Sequence, residues 1–273
     1  MKTRVIVSLL LVPLLFIVLY FAPAWVLPIA ISVISVLCVY ELLGVSGFVT
    51  NKRVLAYALL FSALSPHYNY WDMPGVYAAV GLLLFITVLF AEGIHDPKNV
   101  TFNVIGCTFT FSLLFPLFFN SIARVFGNVE FGEYIVLFIF IIPIMGDIFA
   151  MLIGLAFGKH KMSPVISPKK SWEGAAGGLA AAMFFSCVYG FILQHPFFGF
   201  TVSYPKILLM ALFGSVASQF GDLAMSYVKR GFHVKDFGNI LPGHGGILDR
   251  FDSLIFSAPL VEFALVTLTV VSK

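Results

Sequence analysis

Charge is what this chain has least of. Of its 273 residues only 11% are charged, while 60% are hydrophobic and the mean hydropathy is +1.01. A soluble domain carries roughly 25% charged residues, so an ordinary soluble enzyme is excluded and a bilayer is called for. Cysteine is scarce as well. Cys38, Cys107 and Cys187 are odd in number, sit in apolar stretches and show no CxxC spacing, which gives no zinc or redox pair and leaves buried free thiols as the expectation. There is no GxxxxGK[ST] loop and hence no P-loop ATPase, and no HExxH among six scattered histidines to make a zincin. Sixteen basic residues face 13 acids, a net charge of +3 that points to no nucleic-acid partner. No internal repeat or low-complexity linker is present.

What the chain does have is long apolar runs. At about 20 residues per span, 273 residues hold at most around ten spans with no room for a second soluble domain. Apolar runs and breakers give nine: residues 5–22, 25–45, 54–66, 75–91, 101–123, 134–157, 174–193, 206–228 and 251–271. Lys2 and Arg4 before the first run imitate a signal peptide, but Val5 to Phe21 is long enough to span and the AxA-like site carries Pro23, so it reads as a retained helix. The third run is short, and is either half-buried or continues to Trp71, whose ring suits an interface together with Tyr68 and Tyr70. Pro13, Pro116 and Pro143 are expected to kink helices without excluding them. The expected fold class is all-α, a polytopic bundle forming a single integral membrane domain over 1–273. Residues 1–130 would supply N-terminal packing helices and 131–273 the chemistry-bearing helices and loops.

With nine spans and the N-terminus inside, 13 of the 16 basic residues fall on one side, and only Arg124, Lys206 and Lys273 on the other. The positive-inside rule makes the first side cytoplasmic and places the C-terminus outside. Two long polar segments, 158–173 and 229–250, then face the cytosol.

The second of these carries chemistry. Lys229, Arg230, Lys235 and Arg250 share 24 residues with Asp236, Asp249 and Asp252 and with a run of glycines. Glycine lets backbone N–H groups approach an anion, and Lys and Arg neutralise phosphate. Carboxylates in such a place work against an anion unless a cation such as Mg²⁺ lies between. The structural alternative is a positive-inside loop in which Asp249 N-caps the last helix and Asp252 completes a capping box. Asp222 sits inside the eighth span, seven residues before Lys229, and an ionised carboxylate there demands a partner. Ser218, Asp222, Ser226 and Lys229 form one polar helical face. Asp147 in the sixth span invites the same argument without the pattern; for both acids a structural ion pair is the alternative. In the other segment, Lys159, Lys161, Lys169 and Lys170 are phosphate candidates or membrane-anchoring cations, and Ser171 with Glu173 and Gly174 is a candidate helix start. His244, between Gly243 and Gly245, is the one histidine placed to donate to phosphate or carry a proton. Glu41 and Glu262 read as hydrogen-bonded packing residues, with chemistry as the alternative.

The run Ser226-x-Val228-Lys229-Arg230, Lys235-Asp236, Gly238, Leu241-Pro242, His244-Gly245-Gly246-Ile247, Asp249-Arg250-Phe251-Asp252 resembles the signature of the phosphatidate cytidylyltransferases, or CDP-diacylglycerol synthases. Gly158 to Lys161 and Ser167 to Gly174 resemble a second block of that family. One departure is Leu155, where many relatives carry a basic residue after the glycine at 154. The resemblance implies transfer of a cytidylyl group from CTP to phosphatidate, with release of pyrophosphate, in a bacterial-type inner (plasma) membrane. It implies Mg²⁺ held by Asp222 and Asp249, with Asp147, Asp236 and Asp252 as further candidates and a second cation nearby. Lys229, Arg230, Lys235 and His244 would serve the reaction. Lys169, Lys170, Ser226, Gly245, Gly246 and Arg250 would hold the triphosphate and the lipid phosphate. A CTP-dependent polyisoprenol kinase would share the nucleotide site; a cation-coupled transporter is the rival from another class. Spans one to five hold almost no candidate chemistry, and a homodimer packed through them is expected.

Overall fold

The computed structural model describes residues 17–23, 25–71, 73–238 and 245–273. Eight helices carry the fold: α1 Val26–Val39, continued by a π-helical turn Tyr40–Val45; α2 Lys52–Leu64; α3 Gly75–His95; α4 Phe102–Asn128; α5 Leu137–Phe157; α6 Trp172–Leu193; α7 Tyr204–Gly231; and α8 Leu248–Leu268. Two antiparallel pairs of short strands, β1 Lys161–Ser163 with β2 Ser167–Ser171 and β3 Thr201–Val202 with β4 Val271–Ser272, are the only sheet among the described residues.

Seven of the nine spans read from the sequence are helices long and apolar enough to cross a membrane. The run at 54–66 is α2, only 13 residues long, and after a break at Ser65 and Pro66 the chain makes one more helical turn, His67–Tyr70. The run at 5–22, with Pro13, lies mostly outside the described residues. The last run is helical only to Leu268, its final residues forming β4.

The chain forms two compact units: 1–120 with 232–250, and 121–231 with 251–273. Their borders cross the chain order that divides the sequence at 130, because the signature segment belongs to the first unit.

In the first unit, α1 buries Leu27, Ile31, Ser35, Cys38 and Val39, a 3–4 spacing that turns one helical face inward. The α2 helix starts where Asn51 Oδ1 accepts from the amides of Arg53 (2.9 Å) and Val54 (3.3 Å), which satisfies two donors that the first turn leaves open. It buries Val54, Ala58 and Ser62, and Phe61 stacks on Phe85 of α3 at 4.3 Å between ring centres.

In the second unit, small residues let α5 and α6 touch backbone to backbone. A Cβ on Gly178 would lie 2.5 Å from Gly146 O and 2.9 Å from Ala150 Cβ, and one on Gly174 would lie 2.6 Å from Ala150 O. Gly146, Ala150 and Gly154 on α5 thus face Gly174 and Gly178 on α6, a spacing of four residues on each helix. Ser171 Oγ caps α6 by accepting from Gly174 N at 3.2 Å, so the helix-start reading of that segment holds.

Arg124 is gripped by Glu262 through two bonds, Nε to Oε1 at 2.5 Å and Nη2 to Oε2 at 2.7 Å. The pair gives Glu262 the hydrogen-bonded packing role expected of it. Arg124→Met alone leaves a carboxylate without its cation and is expected to destabilise by about 3 kcal/mol. Arg124→Met with Glu262→Met is expected to recover most of that loss in thermal unfolding of detergent-solubilised protein. Single and double variants of equal stability would remove the pair as a structural element.

Candidate active site

Helix α7 runs 28 residues, and its C-terminal half buries Ser218 and Lys229 and holds Asp222 half-buried between them. Asp222 Oδ2 meets Lys170 Nζ at 2.5 Å, and Lys170, at the end of β2, also donates to Gln219 O at 3.5 Å. Lys229 is buried and lies 3.5 Å from Asp252 Oδ2, while Asp252 Oδ1 accepts from Ser253 N at 2.9 Å. Asp147 on α5 hydrogen-bonds Ser253 and lies close enough to Asp222 and Lys170 to feel their charge; Asp252 in turn feels Asp222, Asp147 and Lys229. Three carboxylates and two ammonium groups, from α5, β2, α7 and α8, therefore share one low-dielectric neighbourhood in which opposite charges hold one another.

Sequence spacing could pair Asp222 with Lys229 along the helix, but it could not show that Lys170 reaches Asp222 from 52 residues away, nor that Asp147 joins them. Ser253 and Gln219 were not foreseen. Gln219 Nε2 donates to Ala175 O at 3.0 Å and ties α7 to the start of α6. Ser218 Oγ, one turn before Asp222, is buried with no hydrogen-bond partner among the described residues.

The donor set has the chemistry that Mg²⁺ prefers, hard carboxylate and hydroxyl oxygens. Among the described residues no three acidic, histidine or cysteine side chains form a ready-made cage; Lys170 holds the position beside Asp222 that a metal cation would contest. In donor chemistry the residues fit a divalent ion.

The phosphate candidates divide by burial. Lys169 and Arg230 are exposed, Lys170 and Ser226 half-buried and Lys229 buried. Arg230 Nε donates to Ile166 O at 3.4 Å, in the turn of the β1–β2 hairpin. On the other side of that hairpin, Glu173 accepts from the amides of Lys159 and His160 and from His160 Nδ1 at 2.6 Å. Leu155 is exposed and offers no substitute for the missing cation.

In the first unit, Lys235, Asp236 and Arg250 are exposed. Asp249 lies inside the first turn of α8, and its Oδ2 accepts from Phe237 N (3.0 Å) and Gly246 N (2.9 Å). It closes the signature segment on itself; α8 begins before it, at Leu248, so the structural alternative in which Asp249 N-caps that helix does not hold. Gly245 has φ +78°, a left-handed conformation that side chains rarely adopt. The Gly246 amide, read from the sequence as a phosphate donor, is directed at Asp249. His244 lies outside the described residues. The start of α8 is capped by Glu41, which the sequence offered only as an isolated acid: Oε1 accepts from Ile247 N and Oε2 from Leu248 N, both at 2.9 Å.

Apolar spanning helices that enclose paired acids and lysines define a multi-pass membrane protein. Comparison with known proteins makes that class specific. The profile of the cytidylyltransferase family matches residues 2–268. The phosphatidate cytidylyltransferase of Bacillus subtilis (strain 168) is 32% identical over 218 residues, covering 80% of this chain and 79% of the relative. That of Staphylococcus haemolyticus (strain JCSC1435) is 33% identical over 258 residues, covering 86% and 96%. A protein of Escherichia coli (strain K12) called YnbB, described as uncharacterized, is 32% identical over 230 residues, covering 75% and 72%. The chain belongs to the cytidylyltransferase family and is a nucleotidyltransferase.

Proposed function

We propose that this enzyme transfers the cytidylyl group of CTP to phosphatidate, giving CDP-diacylglycerol and pyrophosphate, at the cytosolic face of the membrane. The observation that carries the reading is the cluster of Asp147, Asp222 and Asp252 with Lys170 and Lys229 in one helical unit. The names of the relatives support the two substrates.

Both reactants are anions, so the barrier is dominated by their mutual repulsion and by charge on the departing pyrophosphate. A phosphatidate oxygen forms a new bond to the α-phosphorus of CTP as the bond from that phosphorus to its bridging oxygen breaks, and pyrophosphate leaves with that oxygen. No proton or electron need be supplied. Asp222, with Asp252 and Asp147, would hold Mg²⁺; Asp249, in the first unit, is a candidate ligand for a second cation. Mg²⁺ would polarise phosphoryl oxygens and screen their charge. With Asp222 occupied in that way, the Lys170 ammonium would be available to phosphate. Lys229 stays with Asp252 and keeps that buried carboxylate compensated. The exposed Lys169 and Arg230 draw the triphosphate in from water. The cytosolic assignment rests on the one-sided distribution of basic residues.

Purified protein given labelled CTP, Mg²⁺ and phosphatidate is expected to release pyrophosphate and form CDP-diacylglycerol, whereas a lipid alcohol should give no product. Release of CDP with a phosphorylated lipid alcohol would make it a lipid kinase instead. In sealed inside-out vesicles CTP should be consumed without permeabilisation; activity confined to right-side-out vesicles would overturn the orientation.

A further inference from the structure

Glu41 is fully buried, on a π-helical turn in an N-terminal helix otherwise poor in chemistry. A buried carboxylate is costly unless its oxygens are satisfied, and here the satisfying donors come from the signature segment about 200 residues later. The Ile247 and Leu248 amides each donate to a different Glu41 oxygen at 2.9 Å. They belong to the first turn of α8, where unpaired amides and the helix dipole favour a negative charge.

Two signature glycines are explained by the same carboxylate. A Cβ on Gly238 would lie 2.7 Å from Glu41 Oε1, and one on Gly246 would press on Glu41 Oε2 with its carboxyl carbon at 2.8 Å. Both glycines make room for a protein side chain. Asp249 completes the arrangement: its charge is felt at Glu41, and its Oδ2 takes the Phe237 and Gly246 amides. Two like charges are thereby kept together by four backbone donors. The N-terminus of α8 is thus filled by the enzyme's own carboxylate and is no seat for substrate phosphate.

We propose that Glu41 is a positioning residue of the reaction. It clamps the start of α8 and so fixes Asp249 and the signature segment that folds over it. The proposal rests on the cytidylyl-transfer reading for its catalytic consequence, while the clamp is tested apart from activity.

The experiment is hydrogen–deuterium exchange on the full-length protein in detergent, read beside steady-state kinetics for wild type, Glu41→Leu and Glu41→Gln. In Glu41→Leu the amides of 246–248 should exchange at least about tenfold faster, with those of α5 and α6 unchanged. Turnover should fall by about tenfold to a hundredfold, the scale set by an ångström-sized misplacement near the chemistry, with the KM for CTP within about threefold of wild type. Glu41→Gln keeps one acceptor oxygen and should restore part of both losses; it also serves if Glu41→Leu does not fold. Unchanged exchange at 246–248 in both variants would overturn the clamp. Faster exchange with unaltered kcat would overturn the positioning role. A wild-type protein that released no pyrophosphate would refute the proposed reaction, and the exchange rates would still judge the clamp.

Discussion

Asp222→Asn is expected to lower turnover by about a thousandfold or more, on the scale of losing a principal electrostatic element of a phosphoryl-transfer site, while leaving the protein folded. The substitution is isosteric and keeps a polar group in the unit's interior, so packing is preserved. What it removes is the charge that holds Lys170 at 2.5 Å and that faces Asp147 and Asp252. In the substrate-free protein three carboxylates meet two ammonium groups, so losing one negative charge relieves repulsion as well as breaking an attraction. Stability should therefore change little or rise. A purely structural ion pair predicts the reverse: lower melting temperature and preserved turnover. Pyrophosphate release at saturating CTP, measured beside thermal unfolding with and without Mg²⁺, separates the two. Near-normal turnover at limiting Mg²⁺ would sink the metal assignment, as would an Asp222→Asn protein that Mg²⁺ stabilises as strongly as wild type.

Gly178→Leu should do the opposite, with the protein failing to accumulate in folded form. The new side chain begins 2.5 Å from a backbone carbonyl of α5 and cannot swing away from it. Overpacking a core usually costs about 1–3 kcal/mol, and here the obstacle is main chain, so a cost at or above the upper end is expected. Because α5 carries Asp147 and α6 begins where Lys170 ends β2, separating them also pulls the charged cluster apart. Gly81→Ala on α3 is the matched control, since a Cβ there meets nothing within 4 Å; it should stabilise by about 0.5–1 kcal/mol through helix propensity. Size-exclusion profiles and melting temperatures in one detergent check both. A Gly178→Leu protein as stable as wild type would show that the helices do not cross as closely as described.

Much of this was legible in the sequence, and the limits have a physical reason. Apolar runs place the spans within a few residues because hydropathy and length act locally, and Ser171 marks a helix start because capping acts over three residues. Asp222 announced itself as a carboxylate inside an apolar helix. The partners of these groups could not be read, because side-chain pairing depends on how helices pack: Lys170 and Asp222 are far apart in sequence, as are Glu41 and Leu248. Glu41 is the instructive case. It was visible as an acid in a span, yet nothing nearby in the chain signals a cap for a helix two hundred residues later. The segment at 158–173 is a hairpin whose second strand delivers Lys170 to α7, a pairing that no local spacing announces. The glycines at 245 and 246 read as a cradle for phosphate, the usual use of such residues, whereas the Gly246 amide is taken by Asp249 and the space beside it by Glu41.

The π-helical turn at Tyr40–Val45 amounts to one extra residue wound into α1. Each residue of an α-helix advances the next side chain by about 100°, so trimming that turn back to α-geometry would rotate Glu41 by about that angle relative to the chain that follows it, without altering any residue that touches substrate. Function at this point is therefore sensitive to the length of an apolar helix as well as to its chemistry. A homologue lacking a single residue just before this acid would need its carboxylate at a different position in the helix, and would look, residue for residue, as though the acid had been lost.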